Sequence, residues 1–298
     1  MKRVDIKIGF RCNNMCAFCV QGDKRTRASD KKKHEVFSDL KESFEKGCRA
    51  VVFTGGEPTM HPNFLKLIKI AKKMKYETIQ IQTNGRMFSD INFCFKAIKA
   101  GANQFAPALH GHTSEIHDFL TGAKNSFAQT MEGIKNLKKL RQHVLTNTVI
   151  TSKNYKFLPQ IAELLVKLKV DQFQFAFVHI LGSADKNKKW LIPKKSKVAP
   201  YLKKALDVGT RAGKRVTAEA VPYCFMQGNE DCIAENIALN MRIYDGKDIV
   251  EDFEYVRKNN GKSKGFNCKK CKYDEICEGP WKEYPEIFGW DEFVPILK

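Results

Sequence analysis

Apolar and polar positions alternate along this chain in two periods that take turns. Val4 to Phe10 alternates with period two and predicts a first strand. Lys31 to Lys46 places Val36, Leu40 and Phe44 at helical spacing. Ala50 to Thr54 is a short apolar strand, and Asn63 to Lys75 gathers Phe64, Leu67, Ile68 and Ala71 on one helical face. Strands are expected again at Thr78–Thr83, Gln104–Leu109 (interrupted by Pro107), His143–Ile150 and Asp171–Val178. Between and after them, helices are expected at Asp90–Ala100, Phe127–Arg141, Tyr155–Leu168 and Ser196–Ala212. Six strand–helix repeats imply an α/β fold with a parallel sheet and right-handed crossovers. In such folds the chemistry lies at the C-terminal ends of the strands.

After Gly213 the pattern changes. Arg215 to Ala218 can form a strand, but helical spacing fades, a polar stretch runs from Lys258 to Lys264, and cysteines crowd the end. The expectation is a core domain over 1–214 and a small, metal-stapled domain over 215–298, because so short a segment buries little core of its own.

Composition narrows the class. The chain has 298 residues, 43% of them hydrophobic, enough for a full core. Asp5, Lys7 and Arg11 interrupt the N-terminal apolar positions, so no signal peptide is expected. No run reaches the roughly 20 apolar residues of a membrane span. The expected location is cytoplasmic, where ten cysteines suit metal ligation better than disulfides. The net charge of +19 fits a nucleic-acid partner or a lysine-rich solvated surface. The second reading is preferred because the lysines are spread along the chain. Two denser basic stretches, Lys24 to Lys33 and Lys186 to Lys197, would attract an anionic substrate or an acidic electron donor.

The chemistry is concentrated in cysteines. Cys12, Cys16 and Cys19 have the spacing C-x3-C-x2-C, with Phe18 just before the last. Three thiolates on one loop can hold three irons of a [4Fe–4S] cubane and leave the fourth open, whereas most such clusters have four thiolates. The competing reading is zinc held by Cys16–Cys19 and Cys268–Cys271; it leaves Cys12 over and pairs opposite ends of the chain. The second strand ends in Thr54-Gly55-Gly56-Glu57-Pro58, where two glycines allow close backbone approach and Glu57 offers a carboxylate to a cationic group.

Together, the cysteine loop and the glycine turn one strand later resemble the radical S-adenosylmethionine (radical SAM) superfamily. The resemblance covers nearly the whole chain. It implies a partial (β/α)6 TIM-like barrel, a cluster on Cys12, Cys16 and Cys19, and SAM chelating the open iron. It implies contacts to SAM from Gly55, Gly56, Glu57 and Pro58, with Phe18 packing the adenine end. Asn84, in Thr83-Asn84-Gly85, and Asn147, in Thr146-Asn147-Thr148, are candidate SAM contacts; Asn84 can equally cap a turn. Leu109-His110-Gly111-His112 and His117-Asp118-Phe119-Leu120-Thr121-Gly122 resemble a stretch of one large branch, with Ala108 where a serine is usual. His110 and His117 are candidate acid/base groups, or they orient a loop.

Cys268-x2-Cys271-x5-Cys277 resembles the core of the SPASM and shorter twitch extensions, which hold auxiliary iron–sulfur clusters. A full SPASM has a further cysteine where this chain has Trp281. The economical count is one auxiliary [4Fe–4S] cluster on Cys268, Cys271, Cys277 and Cys224, with Cys232 as rival fourth ligand. Cys48 and Cys94 are expected as small buried hydrophobes. The implied activity is a radical SAM oxidoreductase acting on a small molecule or a peptide, reduced by a flavodoxin- or ferredoxin-type donor. An RNA-modifying enzyme or RNA-binding protein and a non-enzymatic iron–sulfur electron carrier are the alternatives.

Overall fold

The structure, a computed structural model, describes residues 2–237 and 241–297. In chain order its elements are β1 (Lys2–Gly9), α1 (Lys24–Arg27), α2 (Lys33–Glu45), β2 (Cys48–Gly55), α3 (Phe64–Lys73), β3 (Thr78–Thr83), α4 (Ile91–Ala100) and β4 (Gln104–Pro107). They continue with α5 (Ser114–Thr121), α6 (Ser126–Lys139), β5 (His143–Ile150), α7 (Leu158–Lys167), β6 (Gln172–Phe177), α8 (Ser183–Lys186), α9 (Lys188–Leu191), α10 (Lys195–Arg211) and β7 (Arg215–Glu219). The C-terminal segment adds β8 (Met241–Asp245), β9 (Asp248–Val250), α11 (Phe253–Val256) and α12 (Glu283–Phe288).

The nine strands form one sheet in the order β7-β6-β5-β4-β3-β2-β1-β8-β9. All neighbouring pairs are parallel except β8 with β9. This is the expected α/β fold, a run of strand–helix units like a partial barrel, with more strands than the six predicted. Arg215–Glu219 continues the sheet by pairing with β6 in register, Gln174 against Thr217 and Ala176 against Glu219. Met241–Asp245 adds to the opposite side, parallel to β1.

Side-chain alternation gives the sheet two unlike faces. Val4, Ile6 and Ile8 of β1, Phe53 of β2, Val144 of β5 and Phe173 and Phe175 of β6 are buried in the core shared with the helices. The intervening positions are polar: Arg3, Asp5 and Lys7, then Gln80 and Gln82, Asn147, Gln174, Thr217 and Glu219. Several are joined to one another across strands. Arg3 donates to Gln80 (2.5 Å), Thr54 to Asp5, and Lys7 pairs with Asp245 (2.5 Å). A lining of this kind suits a chamber for a polar ligand.

The C-terminal segment is joined to the barrel by apolar packing, with Trp281, Tyr284 and Phe293 in the same core cluster as Phe177, and by polar contacts. Trp281 Nε1–H donates to the Phe177 carbonyl (3.3 Å), Lys195 N–H to the Tyr284 hydroxyl (2.7 Å), and the buried Lys195 ammonium to the Ala220 carbonyl (2.7 Å). Within the segment itself, Arg257 and Glu278 form a buried two-pronged ion pair (2.9 and 2.8 Å), and Lys262, fully buried, pairs with Glu235 (3.1 Å).

Candidate functional site

The loop carrying Cys12, Cys16 and Cys19 follows β1 and is held from all sides. Gly56 N–H donates to the Gly9 carbonyl (2.9 Å) and Glu57 N–H to the Arg11 carbonyl (2.8 Å). That contact explains both glycines. Gly55 has φ +121°, and a Cβ there would lie 2.0 Å from the Gly9 oxygen; a Cβ on Gly56 would lie 2.3 Å from the Phe10 oxygen. From α5, the Thr121 and Leu120 carbonyls accept from Met15 N–H (2.7 Å) and Ala17 N–H (2.9 Å). Arg86 donates to the Asn13 carbonyl (2.5 Å) and the Asn14 side chain (2.9 Å), and Arg25 to the Asn14 carbonyl (2.8 Å). On the last side, Ser183 N–H donates to the Cys19 carbonyl (2.8 Å) and Asn187 to the Ala17 carbonyl (2.9 Å).

Glu57 and Asn84 belong to this scaffold. The buried Glu57 carboxylate accepts from Thr59 N–H (3.1 Å), the Thr59 hydroxyl (2.6 Å), the Thr83 hydroxyl (2.7 Å) and Asn84 N–H (2.6 Å). It thus ties the end of β2 to the end of β3. With four internal donors its carboxylate is part of the scaffold that joins the two strand ends. Asn84 in turn donates from its amide to the Asn13 side chain (2.6 Å). Pro58 opens a buried turn over Pro58–Met60. Phe18 is buried and packs on His110 at 4.5 Å between ring centroids. Asn147 is partly buried and its side-chain oxygen is enclosed without a partner, an acceptor that fits a hydroxyl or ammonium of SAM.

His110 and His117 are turned to structural use. His110 N–H donates to His117 Nδ1 (3.1 Å), and Val149 N–H to His110 Nδ1 (3.2 Å). Each ring therefore accepts at Nδ1, which requires the neutral form. Burial pushes both pKa values down, that of His117 to about 4, and the neighbouring ring adds to the effect at His110. Asp118, in the same motif, caps the start of α6, accepting from Asn125 N–H (2.8 Å), the Ser126 hydroxyl (2.8 Å) and Phe127 N–H (2.7 Å).

The thiols fall into two groups. Burial, then the proximity of Cys19 and Cys12, pushes the Cys16 thiol far up. Burial, then Cys277, Cys268 and Cys271, pushes the Cys224 thiol up to about 12. The two groups share no member, which is at odds with a zinc ion joining Cys16–Cys19 to Cys268–Cys271. Cys224, Cys268, Cys271 and Cys277 line a single cavity with Tyr223, Pro280 and Phe293. Cys232 is outside it, and the neighbours that act on its thiol are Asp231, Thr210 and Asp207. Among the described residues no three donors converge on one metal ion. A cubane asks for something else, one thiolate on each of several irons. Both donor sets fit it chemically: several partly buried thiols stand close together, and bound metal would supply the positive charge that several neighbouring thiolates need. Cys48 and Cys94 are buried in the core.

Sequence reasoning missed a polar cluster at the ends of β6 and β7. His179 stacks on Trp281 at 3.8 Å between centroids with 6° between planes. The Lys262 ammonium lies 4.0 Å from the Trp281 ring centroid, and Glu219 accepts from Gln174 (2.7 Å). Burial, then Glu235, pushes the Glu219 pKa up, against the pull of Lys262 and Arg257. The signal available in the sequence was position alone: Glu219 and His179 end a strand or follow one.

A parallel sheet with a three-cysteine loop after its first strand and a glycine turn after its second defines a barrel enzyme built around a metal cofactor. The radical SAM superfamily model matches residues 6–165, more than half of the chain, and the chain belongs to that superfamily of enzymes. The family implies a [4Fe–4S] cluster and SAM. A probable GTP 3',8-cyclase of Sulfurisphaera tokodaii is 28% identical over 172 residues, 57% of this chain and 54% of that protein. The chain thus spans about half the length of the curated relatives it matches. Streptococcus suis SuiB bound to its precursor peptide SuiA shares the fold with a TM-score of 0.69 at 15% identity, over 93% of this chain and 71% of that one. Native anSMEcpe with bound AdoMet gives a TM-score of 0.67 at 17% identity, over 95% and 90%. These likenesses of fold therefore extend into the C-terminal segment. No helix among the described residues is long and apolar enough to cross a membrane.

Proposed function

We propose that this chain is a radical SAM oxidoreductase with two [4Fe–4S] clusters that acts on a small molecule or a peptide. The observation that carries the reading is the division of the thiols into a group of three, Cys12, Cys16 and Cys19, and a separate group of four, Cys224, Cys268, Cys271 and Cys277. A first group of three leaves room for SAM on its cluster. A complete second group suits an electron acceptor, which favours oxidation of the substrate over rearrangement. When bound, the first cluster and SAM supply a 5'-deoxyadenosyl radical that takes a hydrogen atom from the substrate.

The chain's own residues hold and enclose. The Gly55–Gly56 backbone braces the first loop, Phe18 and Asn147 stand ready for SAM, and Asn84 fixes Asn13. The polar cluster of His179, Glu219 and Trp281 at the ends of β6 and β7 is the candidate wall for the substrate. In function the chain then divides at about residue 215, into a SAM-cleaving core and a twitch-like cap. SuiB is described bound to a precursor peptide, which supports a peptide substrate. The GTP 3',8-cyclase relative supports a small one. The net charge of +19 supports a nucleic-acid substrate as a second reading, to be tested by the salt dependence of RNA binding.

The test is anaerobic reconstitution of the wild type, a Cys12/Cys16/Cys19→Ala variant and a Cys268/Cys271/Cys277→Ala variant, assayed for iron, sulfide and the reduced electron paramagnetic resonance signal with and without SAM. Each variant should keep one cluster, and only the second should retain a SAM-sensitive signal. If the first variant binds no iron, the auxiliary cluster falls.

A further inference from the structure

Carboxylates outnumber their cations at the ends of β6 and β7. Glu219 ends β7, and Gln174 donates to one of its oxygens (2.7 Å). Glu235 accepts the N–H of the next residue, Ala220 (2.8 Å), and pairs with Lys262 (3.1 Å). The Lys262 ammonium lies 4.0 Å from the Trp281 ring centroid, and His179 stacks on that ring at 3.8 Å. His179 Nε2 is 3.9 Å from Glu283 Oε2. Glu219, Glu235, Trp281, His179 and Glu283 thus form one connected group, at the end of the sheet where such folds place their chemistry.

The nearby cations are spent. Lys262 matches Glu235, and Arg257 matches Glu278 (2.8 Å). Lys195 gives its ammonium to the Ala220 carbonyl (2.7 Å), and burial pushes its pKa well below the ordinary value. Burial, then Lys262 and the exposed Lys282, pushes the His179 pKa down to about 4, so the ring is neutral. Among the described residues, neither Glu219 nor Glu283 has a lysine or arginine at ion-pair distance.

Two carboxylate oxygens are also enclosed without a donor. The Glu235 side chain is only 9% exposed, and its Oε2 accepts nothing among the described residues; nor does the enclosed Oε2 of Glu283. Buried carboxylate oxygens are costly unless they receive hydrogen bonds. The gap from His179 Nε2 to Glu283 Oε2 is too long for a direct bond, but one nitrogen donating to both at about 2.9 Å spans it. Among the described residues no three donors converge on one metal ion. A nitrogen cation, which spreads its N–H groups over several acceptors, fits this arrangement better than a bare ion.

We propose that Glu219, Glu235 and Glu283 recognise a cationic nitrogen of the substrate, an ammonium or a guanidinium. The inference rests on the polar cluster being the substrate wall and gives that substrate its class, a small amine or a basic side chain of a peptide. The net charge of +19 repels amines from the rest of the surface, so binding of a small cation reports on this cluster.

The experiment uses the anaerobically reconstituted full chain with SAM and no reductant. Calorimetry at constant ionic strength follows n-butylamine, its uncharged counterpart n-pentanol and the anion butyrate. Butylamine should bind about tenfold or more tightly than either. Glu219→Gln and Glu283→Gln keep shape and remove charge, and each should weaken butylamine binding by about tenfold or more, as loss of a charge-assisted contact does. Melting curves identify which variants fold. N-acetyl-lysine amide, charged only on its side chain, separates the two sources: tighter binding than butylamine points to a peptide, weaker binding to a small amine. A wild type that binds butylamine no more tightly than pentanol overturns the proposal, whatever the variants do. A preference for butylamine that survives in both folded variants overturns it too. Formation of 5'-deoxyadenosine after dithionite reduction is measured separately. A chain that binds butylamine through these carboxylates without cleaving SAM overturns the proposed oxidoreductase and leaves the cation subsite standing.

Discussion

Gly56 sits against Phe10 so tightly that a Cβ on Gly56 would lie 2.3 Å from the Phe10 carbonyl oxygen. The turn after β2 and the cysteine loop after β1 are therefore one piece of backbone packing, sealed by the Gly56–Gly9 and Glu57–Arg11 hydrogen bonds. Neither partner is a flexible side chain that can swing away. Gly56→Ala should force the two loops apart, at a cost of about 1–3 kcal/mol, the range for overpacking. It should also lower iron retention at Cys12, Cys16 and Cys19 while leaving iron at the C-terminal cysteines intact. Iron analysis against the two triple-cysteine variants checks this. Full occupancy of both sites with unchanged melting would mean that the loop tolerates displacement.

His117 supplies a pH dependence with a definite sign. Burial holds its folded-state pKa at about 4, below the ordinary value of 6.5, because Nδ1 accepts the His110 N–H and the ring is enclosed. The unfolded chain takes up a proton that the folded one refuses. The contribution of the neutral ring is complete above about pH 6.5 and is lost as pH falls toward about 4, by on the order of 3 kcal/mol in total. Urea unfolding across that range should show the wild type losing stability, and His117→Asn should show a shallower slope from a lower starting point. Identical slopes would contradict the assignment.

The parallel sheet was legible because period-two and helical patterns alternate cleanly from Val4 to Ala212. The cysteine loop was legible because its chemistry is written in local spacing. What escaped was set by distant partners. Arg242 of β8 is buried only because Glu42 (2.7 Å) and Glu251 meet its guanidinium, a pairing that no local pattern announces. A strand at Arg215–Ala218 was legible, but its place was not: its register against β6 makes it the next strand of the sheet. The donors that Thr59, Thr83 and Asn84 bring to Glu57 are set by the fold and not by local spacing. The separation of Cys224 from Cys232 likewise depends on how the turn after β7 folds back on Cys277.

The Lys262–Glu235 pair should behave as a clamp inside the C-terminal segment, anchored to the end of β7 through Glu235. Lys262 is fully buried against Trp281, and Glu235 also accepts the Ala220 N–H (2.8 Å) at the end of β7. Removing one partner strands the other's charge. Lys262→Met should therefore cost about 3–5 kcal/mol, the range for breaking a buried pair. The double variant Lys262→Met/Glu235→Gln should recover much of it. Denaturant unfolding of the two single variants and the double gives the coupling directly. Additive effects would show that the pair does not act as a unit.

Glu219 should give the opposite result. Its carboxyl ends β7 on the polar face of the sheet, where burial and Glu235 push its pKa up. A raised folded-state pKa means that the ionised form is held at a cost at neutral pH, a cost that disappears as pH falls through that pKa. Glu219→Gln keeps the shape and can still meet Gln174 by turning its amide. Its melting temperature should match or exceed that of the wild type. A group that costs stability at the strand ends of a barrel is expected to serve the reaction. Substrate conversion should accordingly fall by about 10²-fold or more, the contribution of a well-placed acid/base group. SAM cleavage to 5'-deoxyadenosine without substrate should persist, because the first loop and its braces are untouched. The two products, measured side by side by chromatography, separate a substrate-facing carboxyl from a structural one. Equal loss of both would place Glu219 in the scaffold.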